Sequence, residues 1–181
     1  MYKQGSLRNP LLEINEGCPF IVHGVVDPGE PASLWGALPV VARNSRALNL
    51  GPIGAVVSLA TNVSEVCGFT VFDQGDAMYV PAGSTVPQAG PGMAINFVRL
   101  GSGAQLVVKA DEALVQALKG QSSATPVTWD FDAQQLVACS SSTTPLPIKA
   151  VVAAIELAEA AIELEDGCLR WVQHAACLIA L

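Results

Sequence analysis

Turn-forming residues cut this chain into short pieces. Asp27-Pro28-Gly29, Asp73-Gln74-Gly75-Asp76, Gly101-Ser102-Gly103 and Asp166-Gly167 separate runs rich in Val, Ile, Phe and Thr. Proline presets φ and glycine accepts positive φ, so such clusters reverse the backbone. At a spacing of roughly 8–12 residues the pieces suit short antiparallel strands, and many short strands build a sandwich or a barrel. Runs 20–26, 38–41, 54–59, 68–72, 77–80, 94–100 and 105–109 read as strands. In 94–100 the alternation sets Ile95, Phe97 and Arg99 on one face and Ala94, Asn96 and Val98 on the other.

One short helix is expected. Asp111 can cap it, Glu112 suits its first turn, Leu114, Val115 and Leu118 share a face, and Gly120 supplies the stop. After it, 127–131 and 136–138 read as a hairpin about residues 133–135, and 140–145 as a polar loop. Residues 149–165 read two ways. The Ala, Glu and Leu content favours a helix. The alternation of Ile148, Ala150, Val152 and Ala154 with their neighbours fits a strand buried on both faces, and Asp166-Gly167 is a hairpin turn.

Composition says where such a fold must sit. Only 14% of residues are charged and 51% are hydrophobic, whereas about a quarter is the usual charged share. The unbroken apolar runs at 150–155 and 175–181 fall far short of the ~20 residues of a spanning helix. The apolar excess therefore needs protein to cover it, which points to a subunit of an assembly. Net charge is −7, and nine Lys and Arg are scattered singly, so neither nucleic acid nor a membrane surface is an expected partner. Residues 1–6 have no apolar segment behind them, which argues against a secretory signal. The five cysteines are odd in number, far apart and without a Cys-x-x-Cys pair. They read as free buried thiols in a reducing compartment, with no zinc site.

Reactive constellations are sparse. His23 and His174 are the only histidines, and each reads as structural or surface. No Gly-x-Ser-x-Gly elbow or phosphate-binding glycine loop is present. The acid pairs Asp73/Asp76 and Asp130/Asp132 could chelate a hard cation but lack a third carboxylate, and a solvated face is the simpler account. Asn62-Val63-Ser64 matches a glycosylation acceptor and, without a secretory route, stands as coincidence. Trp35, Trp129 and Trp171 read as core or interface anchors. No catalytic residue, metal ligand or cofactor is assigned, and the expectation is a non-enzyme.

Residues 68–74, 86–87 and 92–104, continuing through 107–114, then 127–131, Gly167-Cys168-Leu169-Arg170-Trp171 and 178–181, resemble a family of tailed-bacteriophage virion structural proteins. The resemblance covers roughly residues 50–181, leaves the N-terminal third unmatched, and rests on packing and turn motifs. It implies a capsid decoration, or cement, protein: a small β-rich subunit made in the host cytoplasm and carried on the virion. Such a subunit binds the outer surface of the major capsid protein shell and self-associates as a dimer or trimer. It also implies a hairpin before the terminal Trp-bearing strand, so 147–181 is read as strand, turn, strand.

The expected organisation is an extended N-terminal arm at 1–16 and a β-rich domain at 17–181, within which 17–66 can stand as a looser lobe. On the arm, Tyr2, Leu7, Arg8, Pro10, Leu11 and Leu12 are the candidate interface residues, because apolar side chains on an irregular segment want a partner surface. Other readings are a tail, baseplate or head-fibre subunit, a ligand-binding β-sandwich, and a hydrolase using Asp130 and Asp132.

Overall fold

The computed structural model describes residues 11–13, 21–44, 55–71, 78–120, 125–164 and 167–181. Among them the chain is mainly β with one α-helix. A three-residue strand, β1 (Leu11–Glu13), precedes five strands that close on one another: β2 (Ile21–Val26), β3 (Pro39–Asn44), β4 (Ala55–Leu59), β5 (Gly68–Val71) and β6 (Ala94–Arg99). The barrel order is β2-β4-β3-β5-β6. The β2–β4 seam is parallel, and antiparallel pairing of β2 with β6, Gly24 opposite Ile95, completes the ring.

Val26, Leu34, Leu38, Val40, Val57 and Phe97 fill the barrel. So small a ring leaves little room, and two glycines mark the closest approaches. A Cβ at Gly24 would lie 2.6 Å from Val57 Cγ2, and one at Gly68 would lie 2.2 Å from the Val98 carbonyl oxygen. One polar group is sealed into the wall. Thr70 is fully buried, and its Oγ1 accepts from the Leu38 N–H at 2.9 Å and donates to the Trp35 carbonyl. The turn it braces contains Ala37 at φ 66, a left-handed conformation held by the Ala37 N–H donating to the Thr70 carbonyl.

The Gly101-Ser102-Gly103 turn leads from the barrel into the second half. There follow β7 (Gln105–Lys109), α1 (Glu112–Leu118), β8 (Val127–Asp130), β9 (Gln135–Ala138), β10 (Ala150–Glu163) and β11 (Leu169–Ala180). A four-stranded sheet runs β1-β7-β11-β10, and β8 and β9 form a separate hairpin. Asp111 caps α1 as expected, its Oδ2 accepting from the N–H groups of Ala113 and Leu114. The buried face of α1 is Leu114, Val115 and Leu118. It shares a large core with barrel residues Phe69 and Val98, sheet residues Leu106, Val108 and Ile179, and Ala158 and Ala160 of β10. Leu181 is sealed into the same core, its N–H donating to the Ala104 carbonyl.

The structure corrects several expectations. Residues 78–80 form no strand; Tyr79 makes only an isolated bridge to Gln88, Met78 packs on the barrel core, and Tyr79 and Val80 stay exposed. On β6 the two faces fall as read, and both are buried. Ile95 and Phe97 point into the barrel while Val98 joins the outer core, and Asn96 is buried too. The segment after 149 is strand, turn, strand as read, with Gly167 at φ 74 in the turn. It is not buried on both faces, since Val152 and Leu157 stand exposed along β10. Of the described cysteines, only Cys177 is buried, while Cys67, Cys139 and Cys168 are half-buried.

Candidate interaction surface

Of the two sequence-derived acid pairs, the structure describes one. Asp130 Oδ1 accepts from the backbone N–H groups of Asp132 and Ala133, so it closes the β8–β9 turn. Asp73 and Asp76 lie outside the described residues. The tryptophans form no open platform. Trp129 is buried, edge-on to Phe69 with ring centroids 5.5 Å apart, and its indole N–H donates to Gln134 Oε1. His23 is exposed on β2, and His174 is half-buried beside the Ala175 carbonyl at 2.9 Å. Among the described residues, no three His, Cys, Asp or Glu side chains converge on one point, and no helix is long and apolar enough to cross a membrane.

Among the described residues, Lys109 is the half-buried cation with a perturbed proton affinity. Burial pulls its ammonium below the usual lysine range, and nearby Asp130 partly restores it. Its Nζ donates to the Ala133 carbonyl at 2.7 Å. It borders a recess with Trp35, Gln134 and Ala161 of only about 20 Å³, which is room for about one water.

What the second sheet offers is an edge. β11 is covered on both sides: β10 pairs along its length, β7 pairs with its C-terminal half, and Ser84 and Thr85 bond to Leu169 and Trp171. Among the described residues no strand lies beyond β10. Fourteen residues with strongly apolar composition therefore form an outer strand. Its register against β11 is broken twice, at Val152 and across residues 156–157. These bulges coincide with exposed apolar side chains, Val152 at 45% and Leu157 at 66%. Glu156, Glu159 and Glu163 are interleaved with them.

Bulges and charges on an edge strand discourage indiscriminate strand addition. What remains is a surface of apolar side chains set among carboxylates. It is anchored from below, because Lys119 at the end of α1 makes an ion pair with Glu156 and holds that carboxyl below the usual range.

Of the sequence-derived interface residues, only Leu11 and Leu12 are described, at the other edge of this sheet. Tyr2, Leu7, Arg8 and Pro10 lie outside the described residues. Leu11 and Leu12 belong to β1, which pairs with β7, Leu11 opposite Leu106. The sequence reading missed Val152 and Leu157. Leu157 had a signal in the Glu-bearing stretch from residue 156 onward, whereas Val152 sits inside the alternating run and had none. No protein-family model, curated protein or solved structure matches this chain.

Proposed function

We propose that this chain is a capsid decoration protein: a non-enzymatic subunit, self-associating as a dimer or trimer, that binds the major capsid protein on the outer shell of a tailed phage and braces neighbouring capsomers. The observation that carries the reading is the β10 edge, where apolar side chains stand open on a chain with only 14% charged residues. The sequence resemblance to phage virion proteins supplies the partner. Neither nucleic acid nor a membrane surface fits a net charge of −7. The finer architecture, a sandwich or barrel of short strands that presents an arm and an edge to the shell, belongs to the same proposal. Repetition over a shell would turn a modest contact at each site into firm attachment.

The test is reconstitution. Shells lacking the subunit are mixed with the purified chain, sedimented, and imaged at side-chain resolution. Occupancy of the head surface, lost on Leu157→Lys, supports the proposal. Density only on the tail or baseplate would transfer the chain to another virion role, and absence from the particle would end the virion reading. Removing residues 1–10 tests the arm separately: unchanged occupancy would show that Tyr2, Leu7, Arg8 and Pro10 take no part.

A further inference from the structure

We propose that the cleft between the barrel and the β8–β9 hairpin binds a neutral pyranose, a single sugar unit held through its hydroxyls and one apolar ring face. The inference does not rest on the capsid reading. The cleft has a volume of about 330 Å³, at the lower end of the range for small-molecule sites.

One wall is the turn that joins β4 to β5, carrying Thr61, Asn62, Val63 and Ser64. The facing wall comes from the hairpin and the loop after it, with Thr128, Phe131, Thr143 and Thr144. Six of these eight residues present a hydroxyl or an amide, the other two are apolar, and none is ionisable. Glu65, next to this wall, is engaged within it, accepting from the Thr61 N–H and from Thr61 Oγ1 at 3.1 Å.

That chemistry selects the ligand class. An anion would find no Lys or Arg in the lining and would meet a chain of net charge −7. A hydrocarbon would strip water from hydroxyl and amide groups without replacing their hydrogen bonds. A pyranose suits both halves of the lining. Its hydroxyls match the Thr, Ser and Asn groups, and its C–H face matches the half-buried Phe131 ring and Val63.

Both walls are already set. Ser64 Oγ donates to Asn62 Oδ1 at 2.6 Å, and the Glu65 N–H donates to the Asn62 carbonyl. Across the cleft, the Ser140 N–H donates to Thr143 Oγ1 at 2.8 Å, and Thr128 Oγ1 donates to the Thr144 carbonyl at 2.9 Å. A site with fixed walls spends less of its binding energy on ordering itself.

The experiment is a titration of the ¹⁵N-labelled full chain with methyl glucopyranoside, methyl galactopyranoside, methyl mannopyranoside and N-acetylglucosamine, with inorganic phosphate as the anionic comparison. At least one sugar should shift the amides of residues 61–64, 128, 131, 143 and 144 saturably, and phosphate should not. Ser64→Trp fills the cleft from one wall and Thr144→Arg from the other, both at exposed positions. Each should weaken the sugar by about tenfold or more with an unchanged thermal melt, so either variant reads the result if the other does not fold. No response to any of the four sugars, shifts elsewhere on the surface, an equal response to phosphate, or full affinity in a folded blocking variant would each overturn the assignment. Shell binding with no sugar response, or sugar binding with no shell response, separates this inference from the proposed function.

Discussion

Replacing Thr70 by valine tests whether the sealed hydroxyl holds the barrel wall together. Valine keeps the shape and removes the oxygen. The Leu38 N–H, bonded to Thr70 Oγ1 at 2.9 Å, then has no acceptor, and the Trp35 carbonyl loses its donor. Thr70 is 0% exposed, so water does not take the vacated place. An orphaned buried polar group costs about 1–3 kcal/mol. The methyl that replaces the hydroxyl returns no more than about 0.8 kcal/mol. The expected net loss is about 1–2 kcal/mol. With a urea slope of about 2 kcal/mol/M this lowers the denaturation midpoint by about 0.5–1 M. Thr128→Val is the matched comparison. Its hydroxyl donates to the carbonyl of Thr144, an exposed residue that water can reach, so its loss should stay within about 0.5 kcal/mol. Urea denaturation followed by tryptophan fluorescence measures both. Equal losses for the two variants would refute the reasoning, because it predicts that partners sealed from water cost more to orphan than one that water can reach.

Leu157→Lys should leave stability within about 0.5 kcal/mol, since the side chain is 66% exposed, while reducing self-association in sedimentation velocity; an unchanged distribution would remove Leu157 from the interface. Burial pushes the Cys177 thiol up to about 12, so it should be the last of the described thiols labelled by iodoacetamide in the native protein, and early labelling would contradict the packing. Hydrogen bonds from Asn62 and Thr61 hold the Glu65 carboxyl below 4.5. A depressed folded value means its stabilisation is present above about pH 4.5 and is lost as pH falls through the lower folded value. Glu65→Gln should therefore flatten the acid limb of the melting-temperature profile, and an identical limb would contradict those bonds.

What could be read from the sequence was local. The helix declared itself through Asp111, the Leu114-Val115-Leu118 face and Gly120, all within one short segment. The β8–β9 hairpin and the turn at Gly167 did the same. The misreadings were all matters of who lies beside whom. A period-two pattern cannot tell that Val98 faces a second core while Ile95 faces the barrel interior, because the second core is assembled from β7, α1 and β11. Alternation in 148–155 is compatible with a central strand or an edge, and the difference is the absence of a neighbour. Helix-favouring alanines at 158 and 160 lie in a strand because pairing with β11 and packing beneath α1 outweigh intrinsic propensity. At the candidate surface, composition announced that something apolar stays open, but only the bulges identify Val152 and Leu157. The cleft was illegible for the same reason, since its walls lie more than sixty residues apart in the chain.

The ring closure of β2 on β6 has a consequence for how the chain acquires its shape. Residues 21–26 cannot find their antiparallel mate until residues 94–99 exist, and contacts between such distant segments form slowly. The β10–β11 ribbon, by contrast, joins residues that are neighbours about a single reversal. During synthesis the first barrel strand waits with one flank bare, whereas the latest pair can zip as soon as it appears. The part of the molecule that completes its own pairing fastest is therefore the one that keeps an open border when folding is done.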